Sequence, residues 1–168
     1  MMQQYLRHRF LFEELVKRDF KKKYKRTVLG MAWSLLSPLL MLLVMKLVFT
    51  QFFGRTMEHY TIYLFCGNLV FSYFNESTSQ GMTSLVNNAA IFTKVNIPKY
   101  LFLFSKNVQT LINFSLTLCI FFVFCAFDRI PFTWKFLLLL YPVCLLVLFN
   151  IGVGLILSAL YVFFRDIQ

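Results

Sequence analysis

Between Phe20 and Phe53 the chain passes from a dense run of lysines into an apolar stretch interrupted by Ser34, Ser37, Pro38 and Lys46. About twenty apolar residues cross the hydrocarbon of a bilayer as a helix, so Leu29–Phe53 reads as a first membrane span. Three more apolar runs follow, Tyr60–Leu85, Tyr100–Phe127 and Trp134–Phe164, separated by short polar joints. The pattern predicts an all-α membrane protein with four transmembrane helices. The second run is uneven. Its first half is apolar and aromatic, whereas its second half carries the polar string Asn75 to Ser84, with Glu76 inside it. A carboxylate in lipid is expensive, so this half is expected to face protein, water or a transported molecule. Small residues recur at Ser77, Ser79, Gly81 and Ser84, and again at Gly152, Gly154 and Ser158. Such stripes let helix backbones approach closely in membranes.

Ahead of the first span, residues 1–28 place Tyr5, Phe12, Leu15, Val16, Phe20 and Tyr24 roughly three to four apart, with Lys and Arg over much of the rest. That spacing predicts an amphipathic helix with a basic face, lying in the membrane interface or docked on protein. The domain reading is therefore an interfacial helix over 1–28 and a transmembrane unit over 29–168. Between the second and third spans, Val86–Lys106 is basic and mildly amphipathic. A short helix is expected around Asn88 to Val95, closed by Pro98.

Charge orients this arrangement. Of the seventeen Lys and Arg residues, nine precede residue 27, and thirteen fall on one side of the predicted membrane against three on the other, with Lys46 inside a span. Basic residues are retained on the cytoplasmic side, which predicts both termini inside. The net charge of +10 is thus read as attraction to anionic lipid headgroups rather than to nucleic acid, of which no motif occurs. Composition agrees: 59% of residues are hydrophobic and 14% charged, with mean hydropathy +0.68, where a soluble domain carries about 25% charged residues. The four cysteines lie in apolar runs without metal-ligand spacing. Neither a nucleotide-binding glycine loop nor a catalytic cluster appears. No catalytic residue, metal site or cofactor is assigned, and any use of ATP requires another chain.

Three segments carry a family likeness. The first holds Lys17, Arg18, Asp19, Tyr24, Thr27, Leu29, Gly30, Trp33, Pro38 and Leu39 in order; the second is GMTSLVNNAAIFTKVNIP, Gly81–Pro98; the third is LSALYVFFRDI, Leu157–Ile167. Together they resemble the ABC-2 type permeases that export O-antigen, capsular polysaccharide and teichoic acid. Gln80 departs from the pattern, which often has a basic residue there. The family pattern has six spans, so this chain reads as a fragment or as a truncated product.

The resemblance implies a homodimer in the bacterial inner membrane, working with two copies of an ABC ATPase that uses ATP and Mg. Its cargo would be a glycan linked to undecaprenyl diphosphate. The short inner helix, with Asn88, Ile91, Phe92, Lys94 and Val95, would dock on the ATPase, and Arg165 and Asp166 are a second candidate contact. Lys21, Lys22, Lys23, Lys25 and Arg26 are candidates for the lipid diphosphate, since ammonium and guanidinium groups attract phosphate; each also serves as a plain membrane anchor. Phe71, Tyr73, Phe74, Asn75 and Glu76 pair aromatic faces with hydrogen-bonding groups, as a sugar path needs. The alternative there is helix packing, with Glu76 bonded to a neighbouring span. Two further functions stay open: a four-span ion-coupled exporter using Glu76, and a non-transporting partner of a full-length permease.

Overall fold

A computed structural model describes residues 10–19, 21, 31–53, 59–92, 98–131 and 133–167. Every regular element among them is helical. A first helix, α1, covers 10–19. It is followed by α2 (Met31–Phe53), α3 (Tyr60–Asn87), the short α4 (Ala89–Phe92) and α5 (Tyr100–Phe127). A 3-10 turn over Trp134–Leu139 leads into α6 (Leu140–Phe163), and a last 3-10 turn covers Arg165–Ile167.

The predicted boundaries hold closely. The second run extends two residues beyond Leu85, and the fourth begins as 3-10 rather than α-helix. By length and apolarity two units can cross a membrane, Tyr100–Phe127 and Trp134–Phe163. In α2 the apolar core is the shorter Leu36–Phe49. The polar half of α3 is the reason its composition differs from that of its neighbours.

α3 is the central helix, with α5 and α6 packed most heavily on it and α2 alongside. Apart from Met82, its buried residues, Ile62, Phe65, Leu69, Tyr73, Ser77, Gly81 and Ser84, recur every three or four positions, which is one face of a 3.6-residue helix. At one end that face is apolar. Phe65 meets Phe121 and Phe124 edge-on at 5.8 and 5.7 Å, within a cluster that includes Leu42, Ile62, Leu69, Phe114 and Cys125. At the same end, His59 Nδ1 lies 2.6 Å from Asp128 Oδ2. An ionised carboxylate only accepts, so the imidazole carries the proton between them. This contact ties the turn before α3 to the turn after α5. Both His59 and Arg129 take left-handed backbone there, with φ of 55° and 56°.

Toward the other end the face becomes small. Only Asn150, Gly154 and Ser158 of α6 are buried, a stripe at i, i+4 and i+8. A Cβ on Gly81 would stand 3.4 Å from Gly154 Cα, so the two backbones nearly touch. The small-residue stripes thus meet at Gly81 and Gly154, while Gly152 has no atom within 4 Å of an added Cβ and Ser79 is exposed.

Candidate functional site

The polar groups of the bundle gather where α1, the α3–α4 joint and α5 converge. Asp19, at the end of α1, is 4% exposed. Arg18 Nε and Nη2 donate to its Oδ1 at 3.0 and 2.7 Å. Lys106 Nζ of α5 stands 2.9 Å from its Oδ2, and Gln109 Nε2 donates to its backbone carbonyl at 3.3 Å. Arg18 Nη2 also donates to Asn88 Oδ1 at 2.7 Å. Asn88 in turn donates from Nδ2 to the carbonyl of Ser84, one of the last in α3, at 2.8 Å. A buried carboxylate requires paired charge and hydrogen bonds, and Asp19 obtains both from two different elements. Beneath this network Leu15 packs on Phe102, with Leu11, Ile91 and Leu101 around them. The apolar side of α1 is therefore partly spent on α4 and α5, while Phe10 remains 64% exposed.

Two of the residues expected at an ATPase contact, Asn88 and Ile91, belong to this assembly. Phe92 ends α4, although its side chain is outside the described residues, as are Lys94 and Val95 altogether. Arg165 and Asp166 are exposed in the last 3-10 turn. Of the expected phosphate-attracting residues, Lys21 is helical and exposed, whereas Lys22, Lys23, Lys25 and Arg26 lie outside the described residues.

The five residues considered for a sugar path occupy different faces of α3. Phe71 is 65% exposed and Asn75 is exposed beside it. Tyr73 is buried at 3%, its ring 4.7 Å from that of Phe114. Phe74 stacks on Phe149 of α6 at 6.1 Å. Glu76 accepts from Gln80 Nε2 at 2.9 Å and from Asn113 Nδ2 of α5 at 3.3 Å. The next residue, Ser77, donates to Asn107 Oδ1 at 2.7 Å. So a seam of side-chain hydrogen bonds joins α3 to α5. A cavity of about 340 Å³ also opens between α3, α5 and α6. Its lining of Leu69, Phe114, Phe121, Pro142 and Val143 offers a sugar no hydrogen bond.

Sequence reasoning matched Arg18 and Asp19 to a motif without giving them a role, counted Lys106 only as a basic residue of the inner loop, and passed over Asn107, Gln109 and Asn150. The signals were present. Asp19 is a lone acid within a lysine cluster, and Asn107, Thr110 and Asn113 recur at helical spacing in an apolar run.

The chain is similar along its length to known exporters. It is 31% identical over 171 residues to the O-antigen export system permease protein RfbA of Myxococcus xanthus, covering 100% of this chain and 65% of that protein. It is 29% identical over 164 residues to a protein of the same name from Klebsiella pneumoniae, covering 95% of this chain and 63% of the relative. The chain thus spans a little under two thirds of the length of these relatives. Residues 11–168 match the profile of the ABC-2 type transporter. With that match over nearly its whole length, the chain belongs to the ABC-2 type transporter family.

Proposed function

We propose that the chain acts within the transmembrane subunit of an ATP-driven exporter that moves lipid-linked polysaccharide, of the O-antigen, capsule or teichoic acid kind, across the bacterial inner membrane. The observation that carries this reading is the continuous likeness to O-antigen export permeases over all or nearly all of the chain. In this reading α2, α3, α5 and α6 all cross the membrane, with both termini in the cytoplasm. The partners are two copies of a separate ATPase, which uses ATP and Mg, and a second copy of the permease.

The convergence of α1, α4 and α5 supports a division of labour. α4 lies at the joint of α3 and α5, so a push on α4 reaches two long helices at once. The lysines that follow α1 supply positive charge for the diphosphate of an undecaprenyl-linked glycan and for anionic lipid. Glu76, bonded to Asn113 and Gln80, serves to bind α3 to α5.

The reading is tested by deleting the gene in its host and probing surface polysaccharide together with the lipid-linked precursor. Loss of the surface polymer with build-up of the precursor is the expected result, and affinity purification from detergent brings down an ABC ATPase. Unchanged surface glycan, with no ATPase bound, overturns it.

A further inference from the structure

The cavity of about 340 Å³ between α3, α5 and α6 is walled by apolar side chains, the Cys66 thiol being the most polar among them. Such a cavity stays dry and takes apolar guests. Its mouth is on the outside of the bundle, since Cys66 and Pro142 are exposed and Val70 is 42% exposed. Its three walls begin at one depth. Cys66 stands seven residues past His59, and Phe121 seven before Asp128. At 1.5 Å per helical residue, both are about 10 Å from the His59–Asp128 contact. Leu139 closes the 3-10 turn that opens at Trp134, again about 10 Å at 2.0 Å per residue. Val70, Phe114 and Leu146 close the other end of the cavity, roughly 16–20 Å down. Trp134, 89% exposed, and the exposed Arg129 and Lys135 mark this end of the bundle, as residues of the headgroup layer do. Beneath a headgroup layer of about 5–7 Å, the hydrocarbon of one leaflet runs on for about 15 Å. The cavity falls within it.

We infer that this cavity seats one acyl chain of a phospholipid from the leaflet on the His59–Asp128 side, with the lipid phosphate against Arg129 and Lys135. The inference rests on the reading in which α3, α5 and α6 cross the bilayer. The medium at the mouth is then hydrocarbon. An unfilled wall forfeits its dispersion contacts, and a neighbouring chain supplies them without burying a polar group. Charge fits as well. Arg129 and Lys135 attract phosphate, while the acid beside them, Asp128, is engaged by His59. The walls span about 10 Å of depth, a stretch that one chain covers inside its own leaflet. The much longer, methyl-branched tail of a polyprenyl-linked glycan exceeds that space. The seated chain becomes part of the packing of α3 on α5 and α6.

Photocrosslinking tests the site. The intact protein is reconstituted in vesicles of phosphatidylethanolamine and phosphatidylglycerol, with a phosphatidylglycerol that carries a diazirine midway along one acyl chain. Labelled residues are located by mass spectrometry. Leu145 and Leu146 are neighbours at one depth. Leu145 is 49% exposed and does not line the cavity, whereas Leu146 is half-buried and does. Lipid that only surrounds the bundle labels Leu145 more. A seated chain reverses the order, with Leu146 expected roughly threefold or more above Leu145 because the chain stays where it regains dispersion contacts. Val70→Trp, which plugs the mouth, is expected to remove that excess and leave Leu145 unchanged. Leu145 labelled as strongly as Leu146, or an excess that survives Val70→Trp, overturns the proposal and leaves the membrane reading standing. No label on either leucine, nor on Val123, which is 53% exposed, overturns both. A polyprenyl phosphate with the same diazirine that displaces the phospholipid from Leu146 at equal mole fraction overturns the proposed occupant. So does a Cys66–Cys66 disulfide between two copies, formed on oxidation of a Cys119→Ser, Cys144→Ser protein whose Leu146 takes no label.

Discussion

Arg18 reaches Asn88 across 70 residues of chain, Nη2 to Oδ1 at 2.7 Å, while its other nitrogen and the same Nη2 hold the neighbouring Asp19. One guanidinium thus ties the helix ahead of the first span to the residue that joins α3 to α4. The planar fork of arginine suits this double engagement, and a lysine in its place supplies only a point charge. Arg18→Lys is expected to keep the ion pair with Asp19 and lose the bond to Asn88, detaching α1 from the α3–α4 joint. Crosslinking between cysteines introduced at Val16 and Ala90 measures that detachment.

Asp19→Asn strips the carboxylate from a site 4% exposed and leaves Lys106 and Arg18 without their anion. Removing one member of a buried pair costs about 3–5 kcal/mol. The lower end applies, since the Arg18 side chain is 40% exposed and the Lys106 side chain 19%. The loss appears as a lower melting temperature in detergent. Adding Lys106→Met to Asp19→Asn is expected to recover part of it, because an unpaired cation is then removed from the interior.

The seam between α3 and α6 tolerates a methyl group and nothing larger. Gly154→Ala places its Cβ 3.4 Å from Leu103 Cδ1, the end of a side chain that can shift, so it is expected to change stability by less than about 1 kcal/mol. Gly154→Leu pushes the helices apart and costs about 1–3 kcal/mol. Gly152→Leu is the control, since no atom stands within 4 Å of its added Cβ. Melting curves of the three variants separate close packing from any general intolerance of bulk on α6.

Ser77→Ala removes the donor to Asn107 Oδ1. Asn107 still donates from Nδ2 to the carbonyl of Leu103 at 3.1 Å, so the loss is expected to be modest, about 0.6–1.7 kcal/mol as measured for side-chain bonds between membrane helices. A double-mutant cycle with Asn107→Leu checks it: coupling of that size supports an interhelical bond, and zero coupling denies it.

Glu76→Gln retains an oxygen to accept from Gln80 and Asn113 while removing the charge. If Glu76 joins helices, export of the glycan persists at close to the parental rate. Abolished export with intact folding would show instead that the charge itself takes part in transport. Measuring surface polymer in a strain carrying Glu76→Gln distinguishes the two.

The placement of the candidate pathway residues shows where sequence reading stopped. Phe71, Tyr73, Phe74, Asn75 and Glu76 lie close together in the chain and were grouped because they pair aromatic faces with hydrogen-bonding groups. A helix turns about 100° per residue, so neighbours in sequence point away from one another. Tyr73 went inward, while Phe71 and Asn75 went outward. A short helix near Asn88 was legible because the segment is long and mildly amphipathic for a turn, and one is present over Ala89–Phe92; residues 93–97 lie outside the described residues. Its attachment to Arg18 was not, since nothing local distinguishes a paired arginine from the other basic residues around it.

By itself the sequence determined that this protein is a set of long apolar helices with a basic, amphipathic start, because hydrophobic length and charge asymmetry are local properties that water and lipid sort directly. The tertiary structure decided which polar groups meet. It placed Asp19 between Arg18 and Lys106, joined Glu76 to Asn113, and joined Ser77 to Asn107. Those pairings depend on the rotation and depth of each helix against its neighbours. Rotation and depth are set by packing across the whole bundle, which no single stretch of chain encodes.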